Sequence, residues 1–385
     1  MGAALDVSRD ALRRRLLEGF LPLWRDRGVD RARGGFHNRL DARLAPGPDD
    51  SKRLVVHARL VYAFSQAARL GAPDWARDTA RHGLAFLREK FRDARHGGYF
   101  HRTDLAGAPL DRRKDLYDHA FVLFALAHHA RASGDGEALR EAATVLDLLE
   151  AHLSAPEGFF EAATEQWKPV AATRRQNPHM HLLEACLALA EAGGGARYIE
   201  LARRLFELLR RRFVDAARGC LLEFFADDLR PHPGPEGRIV EPGHHFEWVW
   251  LLHQHARVSG DDAAPGLAER LFAFGQRYGV DPEFGGVYDQ IDPDGSVLRD
   301  TKRLWPQTEY VKALAARAEA DPSPLRFDAL RAALAGLLDR YASREHPGFH
   351  EETARDGALR SAYMPATSVY HVTFALCEAL RVLPR

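Results

Sequence analysis

Two kinds of helical pattern alternate along the chain. In the first kind, apolar residues form a single stripe, as at Leu139, Leu146 and Leu149, and charged residues occupy the other faces. In the second kind, as at 182–192 and 246–252, almost every position is apolar. A helix that is apolar all round is buried on most sides, whereas a single stripe leaves one face in water. The alternation therefore predicts helix pairs, each with a buried and a partly exposed member.

A glycine turn followed by apolar residues recurs between these pairs. The copies centre on Gly35, Gly98, Gly158, Gly219, Gly286 and Gly348. Successive copies are 63, 60, 61, 67 and 62 residues apart, which is the mark of a repeat architecture. Each copy continues into alternating apolar and polar residues, and this pattern predicts a tight turn and a short extended segment.

The repeat predicts twelve helices in six hairpins. Their expected ranges are 8–27, 52–71, 75–91, 116–133, 137–153, 177–193, 197–213, 244–259, 262–278, 304–320, 324–342 and 367–382. Six hairpins can stack as an open solenoid or close into a ring. The inner helices are too apolar for the exposed concave face of a solenoid, so we predict an all-α, closed (α/α)6 barrel with short Gly-aromatic turns. No linker-like segment interrupts the pattern, and we assign residues 1–385 to one domain.

Composition narrows the class of function. Lys plus Arg and Asp plus Glu both number 54, so no net charge attracts nucleic acid or an anionic membrane. The distant Cys186, Cys220 and Cys377 suit buried thiols in a reducing compartment. No apolar run reaches the ~18 residues of a membrane span, and the first residues lack a signal-peptide pattern. We expect a cytoplasmic protein with a small-molecule partner and no nucleic acid or membrane partner. A homodimer stays open.

Histidine is the unusual residue, with 19 copies. Near the predicted starts of the inner helices, one residue per repeat recurs at steps of 60, 62, 63, 61 and 66. The six are Arg59, His119, His181, His244, Trp305 and His371. A single histidine there is more often structural than functional. Four in register, with an arginine and a tryptophan, instead predict a polar ring around the barrel axis, which is costly unless a polar ligand uses it.

Spacing within the helices pairs several of these groups. His244 and Glu247 are three residues apart on one helix face, so we expect the carboxylate to raise the basicity of the imidazole. Asn177 and His181, four residues apart, also share a face. Imidazoles together with an arginine suit proton transfer at a carbon next to a carbonyl. The aromatic residues available to lie flat against a sugar ring are Trp305, Tyr117 and Phe121.

The same residues form no metal-binding motif. His179 and His181 lie on different helix faces, as do the adjacent His244 and His245. The chain has neither H-E-x-x-H nor C-x-x-C, and it lacks the glycine motifs that bind nucleotides. A metal held by residues of separate helices stays open, but the spacing does not call for one, and we expect no metal and no cofactor.

Two other classes of function stay open on the residues alone. A glycoside hydrolase needs two carboxylates across its pocket, and Asp118, Glu241 and Glu247 are available. Such an enzyme would release a new reducing end from an oligosaccharide. A barrel that only binds sugar would show no exchange of the C2 proton.

Six segments, in order and in period, resemble the N-acylglucosamine 2-epimerase superfamily, which includes mannose isomerases, sulfosugar isomerases and cellobiose 2-epimerases. The resemblance covers essentially the whole chain. The segments are Ala58-Arg59, DLYDHAF around Tyr117, NPHMHLLEA at 177–185, EPGHHFEW at 241–248, RLWPQTE at 303–309 and Tyr370-His371.

The resemblance implies an (α/α)6 barrel that opens a sugar ring and moves protons through a cis-enediol without nicotinamide or catalytic metal. It gives the two acid/base roles to His244 and His371, support of His244 to Glu247, and a further place in the catalytic set to His181. The substrate-binding residues that it implies are Arg59, Tyr117, Asn177, Trp305 and Glu309.

The segment MPATSVYH before the last of these histidines bears on the substrate. It contains Ala366 and no tryptophan, whereas the epimerases and disaccharide enzymes of the superfamily usually carry a tryptophan there. A second sugar would lose its stacking surface, so the resemblance favours a monosaccharide and an aldose–ketose isomerase, D-mannose to D-fructose. No anion-binding loop for a phosphate is evident. The alternative is a 2-epimerase of N-acylglucosamine or cellobiose type, which shares the enediol intermediate.

Overall fold

The computed structural model describes residues 5–384, in which twelve helices alternate between an outer and an inner ring. The outer helices are 9–28, 75–91, Gly136–His152, 196–213, 264–279 and Pro324–Tyr341. The inner helices, numbered first to sixth, are Leu54–Arg69, Leu116–Ser133, Gln176–Glu191, Pro242–Ser259, Leu304–Ala320 and Thr367–Val382. The predicted ranges agree with these bounds to within two residues at each end.

The inner helices close into a ring. Each packs against the next, and the sixth packs against the first. In the first inner helix 14 of 16 residues are buried, whereas only 5 of the 17 residues in the outer helix Gly136–His152 are. This difference reproduces the two hydrophobic patterns of the sequence, and the predicted all-α (α/α)6 barrel is confirmed.

Short strands form a collar at the end of the barrel where the inner helices begin. The strand that leads into an inner helix pairs with a strand that follows a neighbouring glycine turn. These pairs are Ser51–Arg53 with Arg102–Asp104, Lys114–Asp115 with Ala162–Ala163, Arg174–Arg175 with Phe224–Phe225, Lys302–Arg303 with Glu352–Thr353, and Tyr363–Pro365 with Arg39–Asp41. A bridge between Val240 and Ile291 completes the circle. Local additions to the collar are Pro109–Asp111, Val214–Asp215 with Cys220–Leu221, and Gln290–Ile291 with Val297–Arg299.

A side chain of the following inner helix holds each of the first five glycine turns. In the first four repeats, the backbone N–H after the turn donates to a histidine Nε2 at 2.9–3.0 Å. The other ring nitrogen, Nδ1, donates to a backbone carbonyl four residues earlier. We call these residues the turn histidines; they are His57, His119, His179 and His245. Gln307 makes the same two bonds in the fifth repeat, and in the sixth the Met364 sulfur, from the collar, accepts the N–H.

The glycines permit this close approach. Gly35 and Gly158 have φ values of +69° and +65°, which L-residues rarely adopt. A Cβ on Gly35 would lie 2.4 Å from His57 Nε2, and one on Gly158 would lie 2.6 Å from His179 Nε2. The recurring glycine therefore lies in direct contact with the recurring turn histidine, and the two repeat together along the chain.

Buried lysines hold three of the same turns from a second side. Lys52 Nζ lies 2.8 Å from Asp30, Lys114 Nζ lies 2.7 Å from Asp93, and Lys302 Nζ lies 2.8 Å from Asp281. Each aspartate also accepts backbone N–H bonds within its own turn. These buried ions are thus paired and hydrogen-bonded, as burial requires.

His179→Ala would test what the turn histidines contribute. The substitution leaves the buried Phe159 N–H without its acceptor, which costs roughly 1–3 kcal/mol, and the unfolding midpoint in urea should fall accordingly. His179→Gln should retain most of the stability, because Gln307 makes the equivalent bonds in the fifth repeat. Equal losses in both variants would contradict the role given to this hydrogen bond.

Candidate active site

The collar surrounds a cavity of about 260 Å³ to which all six inner helices contribute. It brings together eight of the nine predicted site residues, which are Arg59, Tyr117, Asn177, His181, His244, Glu247, Trp305 and His371. The ninth, Glu309, lies outside the lining. Residues that line the cavity but were not among the predicted site residues are Glu241, Arg303, Glu351, Thr367 and Ser368.

The predicted ring of six equivalent positions needs correction. His119 does not face the cavity, because it is a turn histidine whose two nitrogens are bonded to the backbone. In the first five repeats, the residues two positions after the turn-holding residue are Arg59, Phe121, His181, Glu247 and Glu309. His371 belongs to the sixth repeat, whose turn is held from the collar. His244 and Trp305 come from one and two positions before the turn-holding residue. The repeat length predicted from the sequence is correct. The six residues predicted to form one ring, however, occupy different positions within their repeats.

His244 is held by a carboxylate that the sequence analysis missed. Its Nδ1 lies 2.9 Å from Glu223 Oε2 and 3.4 Å from Glu241 Oε2. Burial alone would lower the pKa of His244, but the charge and hydrogen bond of Glu223, with Glu241 nearby, raise it to about 9. His244 is therefore an imidazolium at neutral pH.

Glu247 was expected to support His244, but Glu223 makes that contact. Glu247 lines the cavity with its Oε1 3.9 Å from Lys312 Nζ. Burial raises its pKa well above the usual value, and the nearby Glu309 adds to the effect. Burial therefore disfavours the ionised form of Glu247 in the cavity wall.

Glu223 has a signal in the sequence that the repeat reveals. It lies two residues after the N–H donor of its turn, and the equivalent positions of the other repeats are also polar. They are Asn38, His101, Glu161, Asp289 and Glu351. Glu161 pairs with Arg175 and Asp289 pairs with Arg303, so the position serves the collar in other repeats and His244 in this one.

Asn177 completes the contacts of His244. The Asn177 amide lies 3.1 Å from His244 Nε2, with its nitrogen towards the ring, and its Oδ1 has no partner among residues 5–384. An imidazolium donates from both nitrogens and therefore needs an oxygen at that place. A half-turn of the amide supplies it, and so Asn177 fixes the orientation of His244 as an acceptor.

His371 has a different partner from His244 and, unlike His244, is neutral. Its Nδ1 lies 2.7 Å from Glu309 Oε1, and Glu309 Oε2 lies 2.7 Å from Lys312 Nζ. Burial lowers the pKa of His371 despite the hydrogen bond to Glu309, so the imidazole is neutral at pH 7. Glu309 was predicted to bind substrate; it instead lies behind His371 and orients it. The local sequence around His371 gave no hint of this carboxylate, which comes from the fifth inner helix.

The third histidine, His181, is also neutral. Burial lowers its pKa well below 6.5, and the charge of Arg59 acts in the same direction. Its Nδ1 lies 3.0 Å from Glu184 Oε2. Its Nε2 makes no hydrogen bond within residues 5–384, and the ring lines the cavity. One nitrogen is therefore held by the protein and the other is left for a ligand.

Arg59 and Trp305 form two further surfaces of the cavity. The Arg59 guanidinium lies 4.2 Å from the centre of the Phe121 ring and donates to Tyr117 Oη at 2.6 Å and to the Thr367 carbonyl, and it has no carboxylate partner among the described residues. The Trp305 ring centre lies 4.8 Å from that of His244 and 5.8 Å from that of His371. A sugar lying on Trp305 would be within reach of both histidines.

Two clusters bring a histidine and two carboxylates within 4.8 Å of one another. They are His181, Glu184 and Glu247, and Glu223, Glu241 and His244. In each cluster the histidine Nδ1 is already bonded to a carboxylate. A fixed protein cation is also adjacent, Lys312 for the first and Arg303 for the second. These residues fit a hydrogen-bonded network, and we identify none of them as a metal ligand.

The carboxylates considered for glycoside hydrolysis do not face one another. Asp118 is buried outside the cavity, 2.5 Å from His101 Nδ1. Glu241 and Glu247 both line the cavity but belong to the same segment, at the start of the fourth inner helix. Hydrolysis needs two carboxyl groups on opposite sides of the scissile bond, and this set does not supply them.

A closed helical barrel with charged and neutral histidines around one cavity is typical of an enzyme that moves protons on a polar substrate. The sequence profile of the N-acylglucosamine 2-epimerase (GlcNAc 2-epimerase) family matches residues 34–375. The chain belongs to this family, and it is an enzyme of the sugar isomerase or 2-epimerase type.

Individual relatives agree with this assignment. A protein from Rhizobium meliloti named mannose-6-phosphate isomerase is 36% identical over 395 residues, covering all of both chains. A D-mannose isomerase from Thermobifida fusca is 31% identical over 72% of this chain and 71% of its own. The solved structure of cellobiose 2-epimerase from Spirochaeta thermophila superposes with a TM-score of 0.88 at 28% identity, covering 97% of this chain and 96% of its own.

Within residues 5–384, none of the helices combines the length and the apolar character needed to cross a membrane.

Glu223→Gln would test the charge state of His244. Removing the carboxylate lowers the pKa of His244, so the alkaline decline of sugar turnover should move from about pH 9 to lower pH. Because a charged acid/base group contributes roughly 10²–10⁴-fold, kcat at pH 8 should fall by about 10². Glu161→Gln is the matched control, since it changes the same position of the preceding repeat without touching a cavity residue. A Glu223→Gln profile that overlays the wild type would refute this role.

Proposed function

We propose that the protein interconverts D-mannose and D-fructose, an aldose and a ketose, through a cis-enediol. The observation that carries this proposal is the pair of histidines beside Trp305. His244 is charged through Glu223, and His371 is neutral although it is bonded to Glu309. Isomerisation needs both states at once, a proton donor for oxygen and a proton acceptor for carbon.

His244 acts on the sugar oxygens. As an imidazolium it passes its Nε2 proton, which Asn177 holds until then, to the ring oxygen when the sugar opens, and it takes up the proton that O1 releases. It later returns that proton to O1 as the carbonyl becomes an enediol. Glu223 holds the ring and stabilises its charged form, so the proton can be returned from O2 in the second half of the reaction. Asn177 restricts the ring to one orientation throughout.

His371 acts on carbon. Its free Nε2 removes the proton from C2 and delivers it to C1, so the C2–H bond breaks and the C1–H bond forms on the same face of the enediol. The imidazolium formed in between lies against the ionised Glu309, whose pKa Lys312 and His371 hold at about 2 against the effect of burial. Arg59 faces the oxygens that gain negative charge in the enediolate.

The size and charge of the cavity support the proposal of a single, unphosphorylated sugar as substrate. Its volume of about 260 Å³ is below the roughly 300–1,000 Å³ of pockets for larger ligands. Ala366 is buried and offers no second aromatic surface. Of the two arginines that line the cavity, Arg303 is paired with Asp289, so Arg59 alone has no carboxylate partner in the described chain. A phosphate dianion usually takes more than one such cation, although one relative is named for a phosphorylated sugar.

Incubation with D-mannose in heavy water, followed by NMR, tests the reaction. We expect fructose, with deuterium at C1 to the extent that the proton on His371 exchanges with solvent before its delivery, and little turnover of mannose 6-phosphate, cellobiose or N-acetylmannosamine. A product epimeric at C2 would make the protein a 2-epimerase instead. Preferred turnover of mannose 6-phosphate would overturn the assignment of an unphosphorylated substrate.

His371→Asn tests the role at carbon. The variant should bind mannose but lose C2 proton exchange by roughly 10²–10⁴-fold. His244→Asn should also turn over slowly, with a smaller loss on an open-chain substrate analogue that needs no ring opening. If His371→Asn exchanges the C2 proton normally while His244→Asn does not, the two roles are reversed.

Chelation tests the expectation that the chemistry needs no metal. The residues that contact the substrate space are bonded to one another and to protein cations, so exhaustive treatment with EDTA should leave kcat unchanged. Loss of activity that one divalent ion restores would contradict this prediction.

A further inference from the structure

A hydrogen-bonded chain leaves the floor of the cavity through His181. His181 Nδ1 lies 3.0 Å from Glu184 Oε2, and the Tyr370 hydroxyl donates to Glu184 Oε1 at 2.7 Å. All three side chains are buried, with exposures of 2% or less. Both oxygens of Glu184 therefore have hydrogen-bond partners. Oε2 is bonded to His181 Nδ1, the ring nitrogen that the sugar does not reach.

Glu184 also lines a second cavity, at the opposite end of the barrel. This cavity, of about 300 Å³, lies where the inner helices end, and Gln66, His128 and Glu378 contribute polar groups to it. Glu184 is thus the residue between the sugar side and the far face of the barrel. A proton can reach it from that far face without passing through the sugar cavity.

We propose that Glu184 decides which nitrogen of His181 carries the proton, and therefore whether His181 offers the sugar an acceptor or a donor. A carboxylate only accepts hydrogen bonds, so an ionised Glu184 requires the proton on Nδ1 and leaves Nε2 as an acceptor in the cavity. A protonated Glu184 accepts from Tyr370 at Oε1 and donates from Oε2 to Nδ1, which moves the ring proton to Nε2. Glu184 is a positioning residue that acts through His181.

Both states are accessible near neutral pH. Burial raises the pKa of Glu184 to about 7, although Lys312 and the hydrogen bond from Tyr370 act in the opposite direction. The titratable and charged groups around Glu184 and His181 include Arg59 and Tyr62 on the first inner helix, Tyr117 and His128 on the second, His244 and Glu247 on the fourth, Glu309 and Lys312 on the fifth, and Tyr370, His371 and Glu378 on the sixth. Lys312 is the ammonium among them, and Glu309 holds it at 2.7 Å.

The acceptor form of His181 is the one the reaction needs. Arg59 and the charged His244 already supply donors to the sugar oxygens, and a sugar hydroxyl also requires an acceptor. Glu184 becomes ionised as the pH rises through about 7, so kcat/KM for D-mannose should increase with a midpoint there. This kinetic expectation rests on the proposed function.

Glu184→Gln should reverse the tautomer. The amide oxygen accepts from Tyr370, so the amide nitrogen donates to His181 Nδ1 and the proton must move to Nε2. In protein labelled with ¹⁵N at the histidine rings, wild type at pH 8.5 should show His181 protonated at Nδ1, and Glu184→Gln should show it protonated at Nε2. Comparison with His181→Asn assigns the signal. The kcat/KM of Glu184→Gln should be roughly tenfold lower, the worth of one hydrogen bond, and should lose the midpoint near pH 7.

Two further variants make the test decisive. Tyr370→Phe keeps the carboxylate but removes a bond that favours its charged form, so the tautomer change should occur at higher pH than in wild type. Glu378→Gln is the matched control, because Glu378 lines the same second cavity but bonds to Trp250 and Arg381 and not to His181. It should titrate like wild type.

The proposal is overturned if His181 keeps its proton on Nδ1 in Glu184→Gln, or if Glu378→Gln changes the titration as much as Tyr370→Phe does. The NMR measurement requires no turnover, so it stands even if D-mannose proves not to be the substrate. Should Glu184→Gln fail to fold, the direction of the shift in Tyr370→Phe decides the question.

Discussion

The hydrogen bond between a turn N–H and a side chain of the following inner helix is the constraint on which the rest of the structure depends. It ties each of the first five hairpins to the helix that continues the ring, and it sets how far that helix enters the barrel. Because four of these bonds end on histidine, the inner helices carry a neutral imidazole at their starts. The residues two positions further along, such as Arg59 and His181, are thereby brought to the cavity.

This constraint explains why the fold was readable from the sequence. Helix bounds followed from apolar periodicity, and the period of the glycine turns predicted six hairpins. Most of the cavity residues could be predicted from the sequence, because the inner helices all begin at the same end of the barrel. The exact register was not readable, since His119 and His181 have the same chemistry and differ only in which of them meets the turn.

The partners of the histidines could not be predicted, because they come from other helices or from the collar. Glu223 reaches His244 from the turn before it, and Glu309 reaches His371 from the neighbouring inner helix. Local spacing pointed to Glu247 for the first and to no residue for the second. Both contacts join different elements, so spacing along one helix does not reveal them. Glu223 raises the pKa of His244, whereas burial outweighs Glu309 and lowers the pKa of His371. Two chemically identical side chains acquire opposite protonation states from the geometry around them.

The inner helices and the connections of the strand collar should tolerate sequence changes to different degrees. The acid/base groups are fixed by the ring of inner helices, whereas the rim above them consists of short connections such as the one between Gln290–Ile291 and Val297–Arg299. Lengthening a surface connection carries only a small entropic penalty, and a connection such as this one supplies none of the acid/base groups. Such a connection can therefore grow without disturbing the residues that transfer protons.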